Sequence, residues 1–233
     1  MRKALVAIIT LCIIGTIPVF SIDISQKRNS QNIAESRNKI LMAHVETGDP
    51  EKKMEALAFV TRMVADKSVD NMDQDFMAIL DKLATETYFN PRKQGIGRTL
   101  VNDNPLVRLK TVKLLGEIGG PHAVNTLCTV LVYEDNSDIL INTMYSLSKI
   151  GENPRMAVTD SIYVMTYRMR SMEHISNELA YATLAALEGI YDNGQSISDQ
   201  KVYWVLVTLN DDRYYEVVRT KCTRVMDKTW NPQ

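Results

Sequence analysis

Glycine and proline are scarce, ten and seven in 233 residues. An all-β chain consumes both in its many turns, so the shortage argues against a β-sandwich or barrel. Charge of one sign is also missing: 27 basic against 28 acidic side chains leave a net of −1. That balance removes the global basic character that a nucleic-acid partner calls for. An apolar share of 45% beside 24% charged residues excludes wholesale disorder and a polytopic membrane protein. The length suffices for one large domain or a short repeat array with a sizeable core.

The N-terminus carries an apolar run. Met1-Arg2-Lys3 precedes Ala4–Phe20, and in the Val19-Phe20-Ser21 ending Val19 at −3 and Ser21 at −1 are small enough for cleavage before Ile22. Residues 1–21 therefore resemble an export signal. The alternatives are an uncleaved membrane anchor and a buried helix. At 17 residues the run is at the lower limit for spanning, and Pro18 interrupts its end. A lipid attached at Cys12 is disfavoured, because Leu11 stands where that chemistry wants a small residue. Removing 21 of the 233 residues leaves 212 and takes away Arg2 and Lys3, so 25 basic face 28 acidic side chains, a net of −3. The exported chain keeps Cys128 and Cys222, which fall in helical patterns far apart in the repeat register. Their separation should exceed the roughly 7 Å that a bridge allows, so two buried free thiols are expected.

An internal repeat becomes visible at an offset of 32 residues. Asp103-Asn104-Pro105-Leu106-Val107-Arg108 aligns with Asp135-Asn136-Ser137-Asp138-Ile139-Leu140. Apolar residues match at Val107/Ile139, Leu109/Ile141, Val112/Met144, Leu115/Leu147 and Ile118/Ile150, and both segments stop at glycine, Gly119 and Gly151. That spacing marks one face of a three-turn helix. The Asp-Asn start supplies side-chain oxygens for the free N–H groups, and the glycine allows a left-handed exit. A second helix follows each stop, opening at Pro121 and at Pro154, as Pro50 and Pro105 open first helices. Upstream, Met54, Leu57, Val60 and Met63 face Phe76, Ile79, Leu80 and Leu83; downstream, Leu179, Leu184, Leu187 and Ile190 precede Val202, Leu206 and Leu209. A last helix places Val218, Cys222 and Val225 inward. The expected organisation is a signal at 1–21, a polar tether (22–32) with a capping helix (Ile33–Val45) in 22–47, and a repeat domain at 48–230 of five helix pairs, the last incomplete.

Asn104-Pro105-Leu106-Val107-Arg108, continuing through Leu114-Leu115-Gly116-Glu117-Ile118-Gly119 to Pro121-His122-Ala123-Val124, resembles the HEAT-repeat family, in particular the short bacterial units similar to those of phycobilisome lyases. The second unit keeps Leu147, Ile150-Gly151 and Ala157-Val158 but has Leu140 where the family favours arginine. The specific resemblance covers residues 103–165, and the rest of 48–228 matches in apolar spacing. It implies an all-α fold, an α-solenoid of stacked antiparallel helix pairs of HEAT/armadillo type, each unit burying its apolar face against its neighbours. It also implies that second helices line the concave side.

Catalytic signatures are sparse. His44, His122 and His174 each stand alone, with no metal-ligand spacing, so neither a metal site nor a cofactor is expected. No Gly-x-Ser-x-Gly elbow or phosphate-binding glycine loop occurs. Glu51 with Glu55, and Asp211 with Asp212, read as first-turn charges near a helix dipole rather than as acid/base pairs. No catalytic residue is assigned, and the expectation is a protein that is not an enzyme.

Two features suit binding. Residues 88–102 form a long connection carrying Tyr88, Phe89, Arg92, Lys93 and Arg98. Its basic and aromatic groups suit an acidic partner, an anionic lipid or a glycan; the competing reading is a solvated insertion or a cover over the join between units. The second feature is aromatic placement. Tyr133 and Tyr167 end successive second helices, Tyr163 lies one turn before Tyr167, and Tyr203 and Trp204 fall in the next. With His122, Asn125 and Thr129 nearby they read as a stripe for a protein partner, or as packing between units, the reading favoured for Trp204. The expected function is an exported, non-enzymatic scaffold in the periplasm or cell envelope that holds a protein partner, with membrane contact only through a retained signal. The alternatives are an enzyme accessory of the lyase type, against which export counts, and a structural part of a motility or secretion machine.

Overall fold

The computed structural model describes residues 17–47, 49–69, 72–95, 99–100, 102–171 and 175–230, with side chains from Gln31 onward. The fold is all-α: α1 (Ile17–Glu46), α2 (Pro50–Ala65), α3 (Gln74–Phe89), α4 (Pro105–Ile118), α5 (Gly120–Tyr133), α6 (Ser137–Ile150), α7 (Ala157–Ser171), α8 (Asn177–Asp192), α9 (Gln200–Leu209) and α10 (Glu216–Trp230). Among the described residues the only strands are β1 (Lys93–Gln94) and β2 (Thr99–Leu100), an antiparallel pair between α3 and α4. Two compact units divide the chain, Met1–Ala43 and His44–Gln233.

In the first unit the helix α1 begins at Ile17 and continues through 22–32, where a loose tether was expected. The physical reason is local: no glycine or proline lies between Pro18 and Gly48, and extending an existing helix adds one hydrogen bond per residue fixed. Glu35 and Lys39, one turn apart, pair at 2.6 Å. Of the expected export segment, residues 1–16 lie outside the described residues. Among the described residues no helix is long and apolar enough to cross a membrane.

The second unit builds its helices from the caps that the repeat supplies. Asp49 accepts from the Glu51 N–H at 2.9 Å, Asn104 from Val107 at 3.2 Å, and Asn136 from Asp138 at 3.0 Å; each such cap is worth about 1 kcal/mol. Gly119 and Gly151 end α4 and α6 at φ 69° and 67°. Pro154 behaves differently from the expected helix opener. It starts a short 3₁₀ turn in which Arg155 adopts φ 50°, so α7 begins only at Ala157. Asn153 then reaches forward and caps it, accepting from Val158 N–H at 3.0 Å and Thr159 N–H at 3.3 Å.

Two series run through the contacts between helices, joined to each other where α3 packs on α4, α4 on α5, α5 on α6 and α9 on α10. In one, α2 packs on α4, α4 on α6, α6 on α8 and α8 on α10; in the other, α3 packs on α5, α5 on α7 and α7 on α9. Val107, Val112, Leu115, Ile139, Met144 and Leu147 are buried, as their spacing requires, whereas Leu109 and Ile141 are half-buried. Leu140 and its repeat counterpart Arg108 are both buried. On α2 the inward position belongs to Lys53 instead of half-buried Met54. Lys53 pairs with buried Glu86 of α3, which also accepts from Arg92 at 3.0 Å. Both thiols, Cys128 and Cys222, are free and buried as expected.

Glycine sets two of the closest helix contacts. A Cβ on Gly116 of α4 would stand 2.5 Å from Ser146 Oγ on α6, and one on Gly189 of α8 would stand 2.4 Å from the Ser148 carbonyl oxygen. The two serines close these contacts with hydrogen bonds of 2.8 Å each, Ser146 to the Val112 carbonyl and Ser148 to that of Ala185.

Candidate functional site

The expected stripe lies on the series α3, α5, α7 and α9. On α5, His122, Asn125, Thr129 and Tyr133 recur at helical spacing. His122 and Asn125 are exposed, while Thr129 is half-buried and donates its hydroxyl to the Asn125 carbonyl at 3.1 Å. Tyr133, 53% exposed at the end of α5, meets two rings from the end of α3. It stacks on Tyr88 with centroids 6.1 Å apart and takes Phe89 edge-on at 5.2 Å.

A polar knot supports that cluster from beneath. Tyr88 donates its hydroxyl to Glu134 at 2.7 Å, and Arg108 Nε donates to the same carboxylate oxygen at 2.7 Å. The Arg108 guanidinium also covers the Tyr88 ring at 5.6 Å and pairs with Asp103 at 2.5 Å. The second oxygen of Glu134 accepts from the N–H groups of Asp135 and Asn136, at 3.0 and 2.9 Å. Burial raises the Glu134 pKa, but the bonds from Arg108, the Asn136 backbone and Tyr88 outweigh it and hold the carboxyl below 4.5. Burial, with the Glu134 charge second, pushes the Tyr88 phenol upward. From α7, Arg168 binds the same corner, pairing with Asp135 and donating to the carbonyls of Leu131 and Glu134.

The connection between α3 and α4 is ordered by buried Asn102, whose amide donates to the Asn90 carbonyl at 2.9 Å and accepts from Arg92 N–H at 2.9 Å. Arg92 turns back onto Glu86 and onto the Glu46 carbonyl, each at 3.0 Å, so its guanidinium is already engaged. Lys93 is exposed on β1. Arg98 lies outside the described residues, as does His174.

Further along, Tyr163 and Tyr167 stack on one face of α7 with centroids 6.5 Å apart; Tyr163 is half-buried and Tyr167 70% exposed. Trp204 is 51% exposed. It meets Tyr203 edge-on at 5.9 Å, and Tyr203 meets Trp230 at 6.0 Å. Between α7 and α9 lies a cleft of about 190 Å³ with walls from Tyr163, Tyr167 and Trp204, flanked by Thr166, Arg170 and Thr208. The stripe is thus two aromatic groups: Tyr133 with Tyr88 and Phe89, and Tyr163 and Tyr167 across a cleft from Trp204. Arg170, three residues after Tyr167 on α7, joins them at the cleft although no aromatic periodicity in the sequence marks it.

Chemically these groups suit binding. Burial raises the thiols of Cys128 and Cys222 to about 11 and about 12, so both stay protonated and poorly nucleophilic. Asp211 and Asp212 lie in the loop before α10, not in its first turn. Asp211 is held at about 2 by hydrogen bonds from Arg213, and Asp212 pairs with Arg219 at 2.9 Å. Among the described residues no group of three or more His, Cys, Asp or Glu is placed to hold a metal ion. The chain has no significant match to any family model, curated protein or solved structure.

Proposed function

We propose that this chain is an α-solenoid of HEAT-like helix pairs that serves as an exported, non-enzymatic scaffold in the periplasm or cell envelope, holding a protein partner on its second helices. One observation carries the reading: Phe89, Tyr133, Tyr167, Tyr203 and Trp204 are all exposed along α3, α5, α7 and α9, helices that pack in succession. Buried interfaces favour tyrosine and tryptophan, which cover large area, lose little side-chain entropy and keep a polar handle. A run of such rings on consecutive helices fits an extended partner. The repeating caps and the two contact series support the solenoid reading, and the apolar run at 4–20 supports export.

The test is a pull-down from envelope extracts with tagged full-length protein and with a variant carrying Tyr133→Ala, Tyr163→Ala and Tyr167→Ala. Helical content of both is checked by circular dichroism. A partner retained by the parent and lost from the folded variant is the expected result. Equal recovery by both removes the aromatic face from the function.

A further inference from the structure

We infer that the cleft between α7 and α9 binds an acidic segment of the partner, one aromatic side chain entering between Tyr167 and Trp204 and a neighbouring carboxylate resting on Arg170. The inference rests on the scaffold reading and names the chemistry of what the scaffold holds.

Size decides the first part. Sites for cofactors and drug-sized ligands run to roughly 300–1,000 Å³, whereas this cleft offers about 190 Å³. That admits one ring-bearing side chain. The rings of Tyr163, Tyr167 and Trp204 offer faces and edges that an incoming ring can meet in offset or edge-on geometry.

Charge decides the second. The other cations of α7 and α9 have carboxylate partners or are placed elsewhere: Arg168 pairs with Asp135, and Lys201 with Asp160 at 2.6 Å. Arg170 lines the cleft, is exposed, and forms no ion pair or hydrogen bond among the described residues. Its charge reaches Asp211, but that carboxylate already accepts from Arg213 Nε at 2.9 Å. Arg170 thus presents a planar fork of donors to the cleft mouth, the geometry that takes a carboxylate at two points.

Fluorescence anisotropy on the full chain tests this with labelled seven-residue peptides. One has phenylalanine flanked by aspartate and glutamate; others replace the phenylalanine by alanine, the acids by their amides, or the acids by lysine. The acidic aromatic peptide is expected to bind at least tenfold more tightly than each control. Arg170→Gln should reduce it to the level of the amide peptide while the melting temperature stays unchanged. Equal binding of the amide peptide, preference for the lysine peptide, an unchanged Arg170→Gln variant, or no binding at millimolar peptide each overturns the inference. A parallel pull-down separates the two readings. Capture that survives Arg170→Gln and Trp204→Ala but is lost with Tyr133→Ala overturns the cleft and leaves the scaffold; no capture by the parent protein overturns the scaffold reading.

Discussion

Gly189 faces the backbone of Ser148 so closely that a methyl group on its Cα would stand 2.4 Å from the Ser148 carbonyl oxygen and 2.7 Å from its hydroxyl. Neighbouring helices of the α4–α6–α8 series owe their approach to such bare positions. A glycine inside a helix costs roughly 0.5–1 kcal/mol relative to alanine, and here the close packing it permits offsets that.

Gly189→Ala is therefore expected to destabilise the protein in spite of its better helix propensity. Overpacking of this kind costs about 1–3 kcal/mol, readable as a lower urea midpoint at unchanged slope. Because the first obstacle is a backbone atom, adding Ser148→Ala should not restore stability. A midpoint at or above that of the parent would show that α6 and α8 separate freely.

Glu134 ties together groups far apart in sequence, and its loss should be severe. Glu134→Ala leaves Arg108 buried without its main partner, and breaking such a pair costs about 3–5 kcal/mol. The pH dependence follows from its lowered pKa. The unfolded chain binds the proton more readily than the folded one, so this stabilisation is full above about 4.5 and is lost as pH falls toward the folded value. Acid titrations of parent and Glu134→Gln, followed by circular dichroism, should differ in that window. Superimposable curves after correction for the starting stability would remove Glu134 from the acid response.

Much of this fold is legible in sequence because its determinants are local. Asn104, Gly119, Asn136 and Gly151 act within one turn of themselves, and the apolar spacing between them marks a buried face. The exceptions are instructive. Pro154 suggests a helix start, yet Asn153, one residue before it, caps a helix that begins three residues later. The knot at Glu134 joins residues 46 and 26 positions away, Tyr88 and Arg108, and the buried Lys53–Glu86 pair spans 33. No periodicity announces such partners. Tyr133, Tyr163 and Tyr167 are readable as a stripe, but its division into two groups depends on rings contributed by α3 and α9.

Tyr88→Phe isolates one bond of the knot. It keeps the ring that stacks on Tyr133 and lies beneath Arg108, and removes only the hydroxyl bonded to Glu134. A hydrogen bond to a charged group contributes about 1.5–3 kcal/mol, so thermal or urea unfolding should register a loss in that range. Tyr133→Ala, at an exposed ring, should cost about 0.5–1.5 kcal/mol from aromatic contacts and act mainly on partner recovery. The reverse ranking would place Tyr133 in the core and Tyr88 at the surface.

The two buried thiols report on the opening of specific helices. Cys128 lies in α5, and Cys222 in α10 donates to the Leu206 carbonyl at 3.2 Å. With pKa values raised to about 11 and about 12, neither carries appreciable thiolate at pH 8, and an alkylating reagent must wait for the helix to open. Iodoacetamide labelling followed by peptide mass spectrometry should leave both unmodified in buffer and modify both in urea. Cys222, in the terminal helix of its series, should label first, because α10 packs on α8 alone in that series whereas α5 lies between α3 and α7. Simultaneous labelling across the urea range would mean that the unit His44–Gln233 opens as one cooperative block, and earlier labelling of Cys128 would place the weakest join at α5.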